Sequence, residues 1–219
     1  MIKLPNFNKT FEYENNFYLS CDSYRIGRLL AHYELFKMVS NIPGAIVECG
    51  VFKGASLARF AMFRELFENT HSKKIIAFDT FGKFPRTKFS QDENELKLFL
   101  KEAGKESISK PQLMKVLNKK KIEKNIELVK GDITKTVPQY LKSHPELRIS
   151  LLNLDTDVYE PAVTILENLY PRIVKGGILI LDDYGIFPGE TKAAEEYFKD
   201  KKVEIKKFSF STPPCYVVK

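Results

Sequence analysis

Cysteine is scarce in this chain and follows no pattern: Cys21, Cys49 and Cys215 are the only three in 219 residues. An odd number, with no Cys-x-x-Cys and no paired histidine, excludes a disulfide framework and a zinc site and fits reduced thiols in the cytoplasm. Cys49 lies in an apolar run and reads as a small core residue. Histidine is equally sparse. His71 and His144 fall in polar connections and His32 in a helical pattern, so none suits a catalytic base. No run approaches the ~20 apolar residues of a membrane span. The opening MIKLPNFNKTFEYENN has neither the apolar segment nor the small-residue cleavage site of a secretory signal. A soluble cytoplasmic protein is expected. Internal repeats and low-complexity segments are missing too.

What remains describes one globular domain, 43% hydrophobic and 29% charged. A chain of this length buries roughly 70% of its unfolded surface and needs no covalent staples. The net charge is +7, but the basic residues are dispersed. The one dense run, 119-KKKIEK-124, holds Glu123 and ends a helical pattern, where cations face the negative end of the helix dipole. Neither nucleic acid nor a membrane surface is expected as partner, although a basic protein attracts phosphate-bearing small molecules.

Leu29, Tyr33 and Phe36 recur at helical spacing, which predicts a helix over about 22–40 in an N-terminal helical extension, residues 1–44. From 45 to 219, apolar strands at 45–50, 74–79, 126–132, 149–154 and 178–182 alternate with helical patterns at 54–67, 110–121, 136–143, 159–172 and 189–198. Lys175-Gly-Gly177 reads as a turn into the fifth strand. This is the signature of a parallel sheet covered on both faces. Two closing strands, 203–210 and 215–219, suit an antiparallel hairpin at one edge. Residues 86–108, polar and of mixed charge, form the one long irregular connection.

Open α/β sheets bind ligands at the carboxyl ends of their strands. There this sequence places Glu48, Asp79, Asp132, the pair Asp155 and Asp157, and the pair Asp182 and Asp183. In 48-ECGVFKGAS-56, Gly50 permits a tight turn, Gly54 lets the next helix approach a ligand, and the helix start offers free N–H groups. Phe52 stands near the middle glycine of a dinucleotide fingerprint, which argues against a pyrophosphate there. Glu48 suits a ligand ammonium, and Asp79 suits two ribose hydroxyls or simply caps its own turn. Asp155 and Asp157 share a strand face, and Asp182 follows one helix and one strand later. Four carboxylates converging without a neighbouring Lys or Arg would repel one another. A hard divalent cation such as Mg²⁺ resolves that; the plainer reading is that the acids cap loops and never converge.

The segments 47-VECGVFKG-54, 78-FDTFGKFP-85, 130-KGDITKTVP-138, 154-LDTDVYEPAVTILENLYPRIVKGG-177 and 181-LDDYGIFPGETKAA-194 carry a resemblance. Over about 25–200 the chain resembles the macrocin O-methyltransferase family, metal-dependent sugar O-methyltransferases. The resemblance implies a seven-stranded, Rossmann-like methyltransferase fold, mostly parallel with an antiparallel C-terminal hairpin. It implies S-adenosylmethionine as methyl donor, Mg²⁺, and a homodimer or larger homo-oligomer. Carried onto this sequence, Glu48 and Gly50 would lie by the donor's methionine end, Asp79 would hold the ribose hydroxyls, and Asp132 and Ile133 would lie near the adenine. Phe52, Gly54, Ser56, Thr80, Phe81 and Gly131 would also contact the donor. Asp155 would touch both donor and metal, with Asp182 and Asp183 as further metal ligands and Asp157 as general base. Residues 86–108 would be a lid or substrate loop.

The implied reaction is methylation of a hydroxyl on a nucleotide-linked deoxysugar or a glycosylated metabolite. Such a hydroxyl is a poor nucleophile at neutral pH, and metal coordination plus a carboxylate base is one remedy. A catechol-like phenol on the same fold is an alternative acceptor. A non-catalytic domain binding the donor or a nucleotide is another, against which the intact acids argue.

Overall fold

In the computed structural model, residues 2–219 are described, and among them seven strands form one sheet: β1 (Ala45–Cys49), β2 (Ile75–Asp79), β3 (Ile126–Lys130), β4 (Ile149–Leu154), β5 (Ile173–Leu181), β6 (Lys206–Lys207) and β7 (Cys215–Val218). Their order is β3-β2-β1-β4-β5-β7-β6. The first five are parallel, and β7 runs antiparallel between β5 and β6. β1, β2 and β4 are buried along their whole length, as apolar strands covered on both faces must be. The edge strand β6 is two exposed lysines, a short charged edge that discourages pairing with another chain.

Eight helices surround the sheet: α1 (Thr10–Ser20), α2 (Ser23–Met38), α3 (Ala55–Phe67), α4 (Asp92–Ala103), α5 (Lys110–Lys120), α6 (Ile133–Ser143), α7 (Tyr159–Asn168) and α8 (Pro188–Phe198). On one face Val137, Ile165 and Ala194 of α6, α7 and α8 pack on Val47, Leu152 and Leu181. On the other, Leu35, Phe60 and Leu117 of α2, α3 and α5 pack on Ile46, Leu151 and Ile180. α2 therefore joins the core, whereas α1 buries no side chain. No helix among the described residues is long and apolar enough to cross a membrane.

Local departures from the sequence reading have physical causes. The stretch 86–108 is not all loop, since α4 occupies half of it. Asp92, Glu93 and Glu95 stand in its first turn, Lys101 in its last, and Gly104 closes it, which is the charge order a helix dipole favours. Gly176 and Gly177 lie inside β5, where the register against β4 slips between Ile149↔Ile173 and Leu151↔Ile178, rather than in a turn before it. The helix expected over 159–172 stops at Asn168 and gives way to a short 3-10 turn, Tyr170–Arg172. The closing strands are shorter than expected.

Four backbone hydrogen bonds align the strand exits. Gly131 N donates to Asp79 O, Gly50 N to Phe78 O and Asp155 N to Cys49 O, each at 2.9 Å, and Asp182 N donates to Leu154 O at 3.0 Å. The turns after five parallel strands thus lie along one edge. The strand order reverses between β1 and β4, where such folds open a crevice.

Candidate active site

The turn that follows β5 at Leu181 divides the acidic pair it carries. Asp183 turns to Asp155 and Asp157, and one carboxylate oxygen from each of these three lies within 4.8 Å of the others. Asp182 turns the other way, fully buried, and pairs with Arg28 of α2; its Oδ1 lies 3.1 Å from His32 Nε2. Arg28 also reaches to 3.8 Å from Asp155 Oδ2. The structure therefore groups Asp155, Asp157 and Asp183, and places Asp182, expected with them as a metal ligand, in a separate buried ion pair. It also supplies the cation that the sequence expectation had left out of the acidic quartet.

The acidic trio is costly as it stands. Burial pushes the Asp155 carboxyl up to about 7 even with Arg28 nearby. Asp157 is driven well above the carboxylate range by burial first, then by the charges of Asp183 and Asp155, and it shares a hydrogen bond with Asp183. Behind them Glu190, at the start of α8, is fully buried and accepts from Asp183 N at 3.0 Å; its pKa too is raised well above the ordinary value by burial. Asp157 holds φ of +62°, a left-handed conformation an aspartate tolerates and a feature that concentrates at functional sites. Oxygen-only donors crowded to the point of mutual repulsion fit a hard divalent ion such as Mg²⁺.

The turn after β1 packs closely against the turn after β4. Gly50 has φ of +94°, and a Cβ there would run into the Asp155 carbonyl. Gly54, at φ +85°, caps α3 without a side chain. Glu48 is fully buried. Its Oε1 accepts from Ser56 Oγ, while its Oε2 has no hydrogen-bond partner. Burial raises its pKa well above the ordinary value. An orphaned buried carboxylate oxygen beside a side-chain-free turn fits the ammonium end of an amino-acid-bearing donor.

Asp79 ends β2 and gathers the same turn. Its Oδ2 accepts from Val51 N at 2.9 Å and Phe52 N at 3.1 Å, and its Oδ1 from Phe81 N at 2.5 Å. Phe52 and Phe81, both at φ +46°, owe their strained backbones to this arrangement. Thr80 Oγ1 also stands 3.4 Å from Asp79 Oδ1, so the carboxylate's roughly four acceptor positions are largely taken up by the turn itself. Thr80 Oγ1 donates to Lys83 O at 2.9 Å, closing the β2 turn. After β3, Asp132 is exposed and caps α6 through Thr134 N at 3.0 Å, with Gly131 before it and buried Ile133 after it. These positions lie on the β3–β2–β1 side of the crevice, and the acidic trio lies toward β5.

Several residues of the site went unread in the sequence. Arg28 and His32 are four apart on α2 and so share a helix face, a spacing that could have drawn notice. Asn153 is fully buried in β4 with both amide atoms unpartnered, and its signal was a polar residue inside the apolar run ISLLNL. It pairs in register with Glu48 on the neighbouring strand β1. Arg59, Asp92 and Glu190 gave no signal.

Comparison with known proteins decides the family. A family model described as macrocin-O-methyltransferase (TylF) matches residues 25–209. The chain belongs to the macrocin-O-methyltransferase family. A curated relative from Streptomyces olivaceus, 8-demethyl-8-(2,3-dimethoxy-alpha-L-rhamnosyl)-tetracenomycin-C 4'-O-methyltransferase, is 26% identical over 154 residues, which span 68% of this chain and 56% of that protein. The chain thus matches little more than half the length of this relative. The apo structure of CalS11, described as a TDP-rhamnose 3'-O-methyltransferase of calicheamicin biosynthesis, is 28% identical with a TM-score of 0.68, covering 97% of this chain and 87% of its own. The O-methyltransferase NovP superposes with a TM-score of 0.75 at 22% identity, covering 89% of this chain and 80% of its own, which shows the shared fold. The macrocin-O-methyltransferase fold expected from the sequence is the one present.

Proposed function

We propose that this chain transfers the methyl group of S-adenosylmethionine to a sugar hydroxyl, on a nucleotide-linked deoxysugar or a glycoside, with the help of Mg²⁺. The observation that carries the reading is the meeting of Asp155, Asp157 and Asp183 across the crevice from the orphaned Glu48 carboxylate. Two of the similar proteins act, by their names, on rhamnose-bearing acceptors, which favours a sugar over a phenol.

Asp155 and Asp183 would hold the ion, which when bound lowers the pKa of a coordinated hydroxyl and orients it. Asp157, whose proton affinity is raised by burial and then by the neighbouring carboxylates, would take the hydroxyl proton. Glu48 would engage the donor's ammonium and Asp79 its ribose, while Gly50 and Gly54 would hold the turn that borders the donor. Gly131, Asp132 and Ile133 would border the adenine. Asp182, held by Arg28 and His32, would act by orienting the turn that carries Asp183. Methyl transfer needs an in-line approach of oxygen to the sulfonium carbon, so the fold's contribution is largely placement. Phe11 and Leu19 of α1, 77% and 84% exposed, would be covered in a homodimer or larger oligomer.

The test is a screen with methyl-labelled donor and Mg²⁺ against nucleotide-linked deoxysugars, free glycosides and catechols. Label on a sugar hydroxyl is the expected outcome. Label on the catechols alone would replace the acceptor class, and no transfer with no donor binding would remove the reading.

A further inference from the structure

Asp92 begins α4 in the segment 86–108, is fully buried, and touches neither strand-end turn by sequence proximity. Its Oδ1 accepts from Gly189 N at 2.7 Å and its Oδ2 from Tyr159 N at 3.1 Å. Those two amides open α8 and α7, the helices that follow the turns bearing Asp183 and Asp157. One carboxylate thus ties two helix starts to each other and to a third segment, and the positive ends of both helix dipoles favour its charge. A Cβ at Gly189 would overlap the Asp92 carboxylate, so a side-chain-free residue is required there.

A second clip runs the other way. Glu160 in the first turn of α7 accepts from Lys88 N at 2.7 Å and Thr87 Oγ1 at 3.0 Å. Farther along α4, Phe99 packs on Phe52 of the donor turn, ring centroids 5.3 Å apart, and on Phe187 just before α8, at 6.0 Å. The segment is docked at both ends of the crevice.

We propose that Asp92 is a positioning residue, which sets the separation of the Asp157 and Asp183 turns and couples it to closure of the 86–108 segment over the crevice. The proposal rests on the reading of that crevice as the reacting site only for its catalytic consequence; the coupling itself is a property of the chain.

Hydrogen exchange of the full chain, with no donor, acceptor or metal added, tests it. In Asp92→Asn the amide keeps the shape but loses the charge and turns an N–H₂ toward a backbone N–H. Exchange is expected to speed up about tenfold or more at 155–159 and 183–191 as well as at 87–103, with β1 and β4 as protected as in the parent. Faster exchange confined to 87–103, or none, would overturn the coupling. Should that variant fail to fold, Asp92→Ser leaves one short acceptor that cannot reach both amides and is expected to give the same pattern. Calorimetry supplies a readout that mere support of α4 would not move. Mn²⁺ affinity is expected to fall several-fold while affinity for S-adenosylhomocysteine stays within about twofold, and equal Mn²⁺ affinity in variant and parent would count against positioning. A parent chain that takes up neither probe would sink the methyl-transfer reading and leave the exchange result to decide on Asp92.

Discussion

His32 Nε2 stands 3.1 Å from Asp182 Oδ1 while Arg59 Nη1 stands 2.8 Å from His32 Nδ1. A guanidinium can only donate, so Nδ1 accepts and Nε2–H donates to Asp182. The ring is thereby fixed as one neutral tautomer, stacked on Phe60 with centroids 5.0 Å apart. Burial first, then the Arg59 and Arg28 charges, lower the His32 pKa well below its usual value. His32→Ala would strand a buried carboxylate acceptor and a guanidinium, costing about 1–3 kcal/mol. Denaturant midpoints would measure that loss, and ring resonances of the parent should show no titration near pH 6.5. A His32 that titrates normally would refute the assigned hydrogen bonds.

Asp182 and Asp183 should part company on substitution. Asp183→Asn is expected to abolish divalent-ion binding with little loss of stability, because it also relieves repulsion within the trio. Asp182→Asn is expected to lower stability by about 3–5 kcal/mol, since it leaves Arg28 without its buried partner, while metal affinity survives in the chain that remains folded. Calorimetry with Mn²⁺ and denaturant unfolding separate the two. The reverse assignment, metal lost in Asp182→Asn and kept in Asp183→Asn, would show that Asp182 turns to the ion.

The buried acids give the metal-free chain a distinctive pH dependence. An acid whose folded pKa is raised stabilises the fold below its unfolded value and loses that contribution as pH rises through the folded value. For Asp155 this runs from about 4 to about 7, and Asp157, Glu48 and Glu190, all raised chiefly by burial, act in the same direction. His32, with a lowered pKa, acts oppositely, weakening the fold as pH falls below its usual value. Above pH ~6.5 the histidine is neutral in both states and only the acids remain. Saturating Mg²⁺ should cancel the acids' decline, so the rise in melting temperature on adding the ion should grow as pH increases toward about 7. Identical profiles with and without the ion would argue against binding at the trio.

Asp79→Ala should reach the donor by an indirect route. It frees the N–H groups of Val51, Phe52 and Phe81, so the donor turn loses its anchor as well as one carboxylate. A loss of about 1.5–3 kcal/mol, the scale of hydrogen bonds to a charged group, is expected in S-adenosylhomocysteine binding, with Mn²⁺ binding retained. Unchanged donor affinity would place the ribose elsewhere.

The sheet was legible because its signals are local. Runs such as 45-AIVEC-49 and 75-IIAFD-79 declare a buried strand within five residues, and their alternation with helices implies a parallel sheet. The strand-end acids were legible for the same reason. Their partners were not, since Arg28, Arg59 and Asp92 reach the crevice from segments whose packing no local pattern specifies. Asp182 was grouped with Asp183 because the two are adjacent in sequence; both lie in the turn after Leu181, where Asp182 faces Arg28 and Asp183 faces the other acids. α4 was hidden by its charges, which were read as loop composition rather than as a first turn and last turn.

Methyl transfer from labelled S-adenosylmethionine to a nucleotide-linked deoxysugar, run in Mg²⁺, in EDTA and in EDTA followed by excess Mg²⁺, bears most directly on the proposed chemistry. Transfer should occur in Mg²⁺, vanish in EDTA and return on replenishment, with Asp183→Asn inactive throughout and Asp157→Asn slowed by roughly 10²–10⁴. Undiminished transfer in EDTA, with Asp183→Asn as active as the parent, would contradict it.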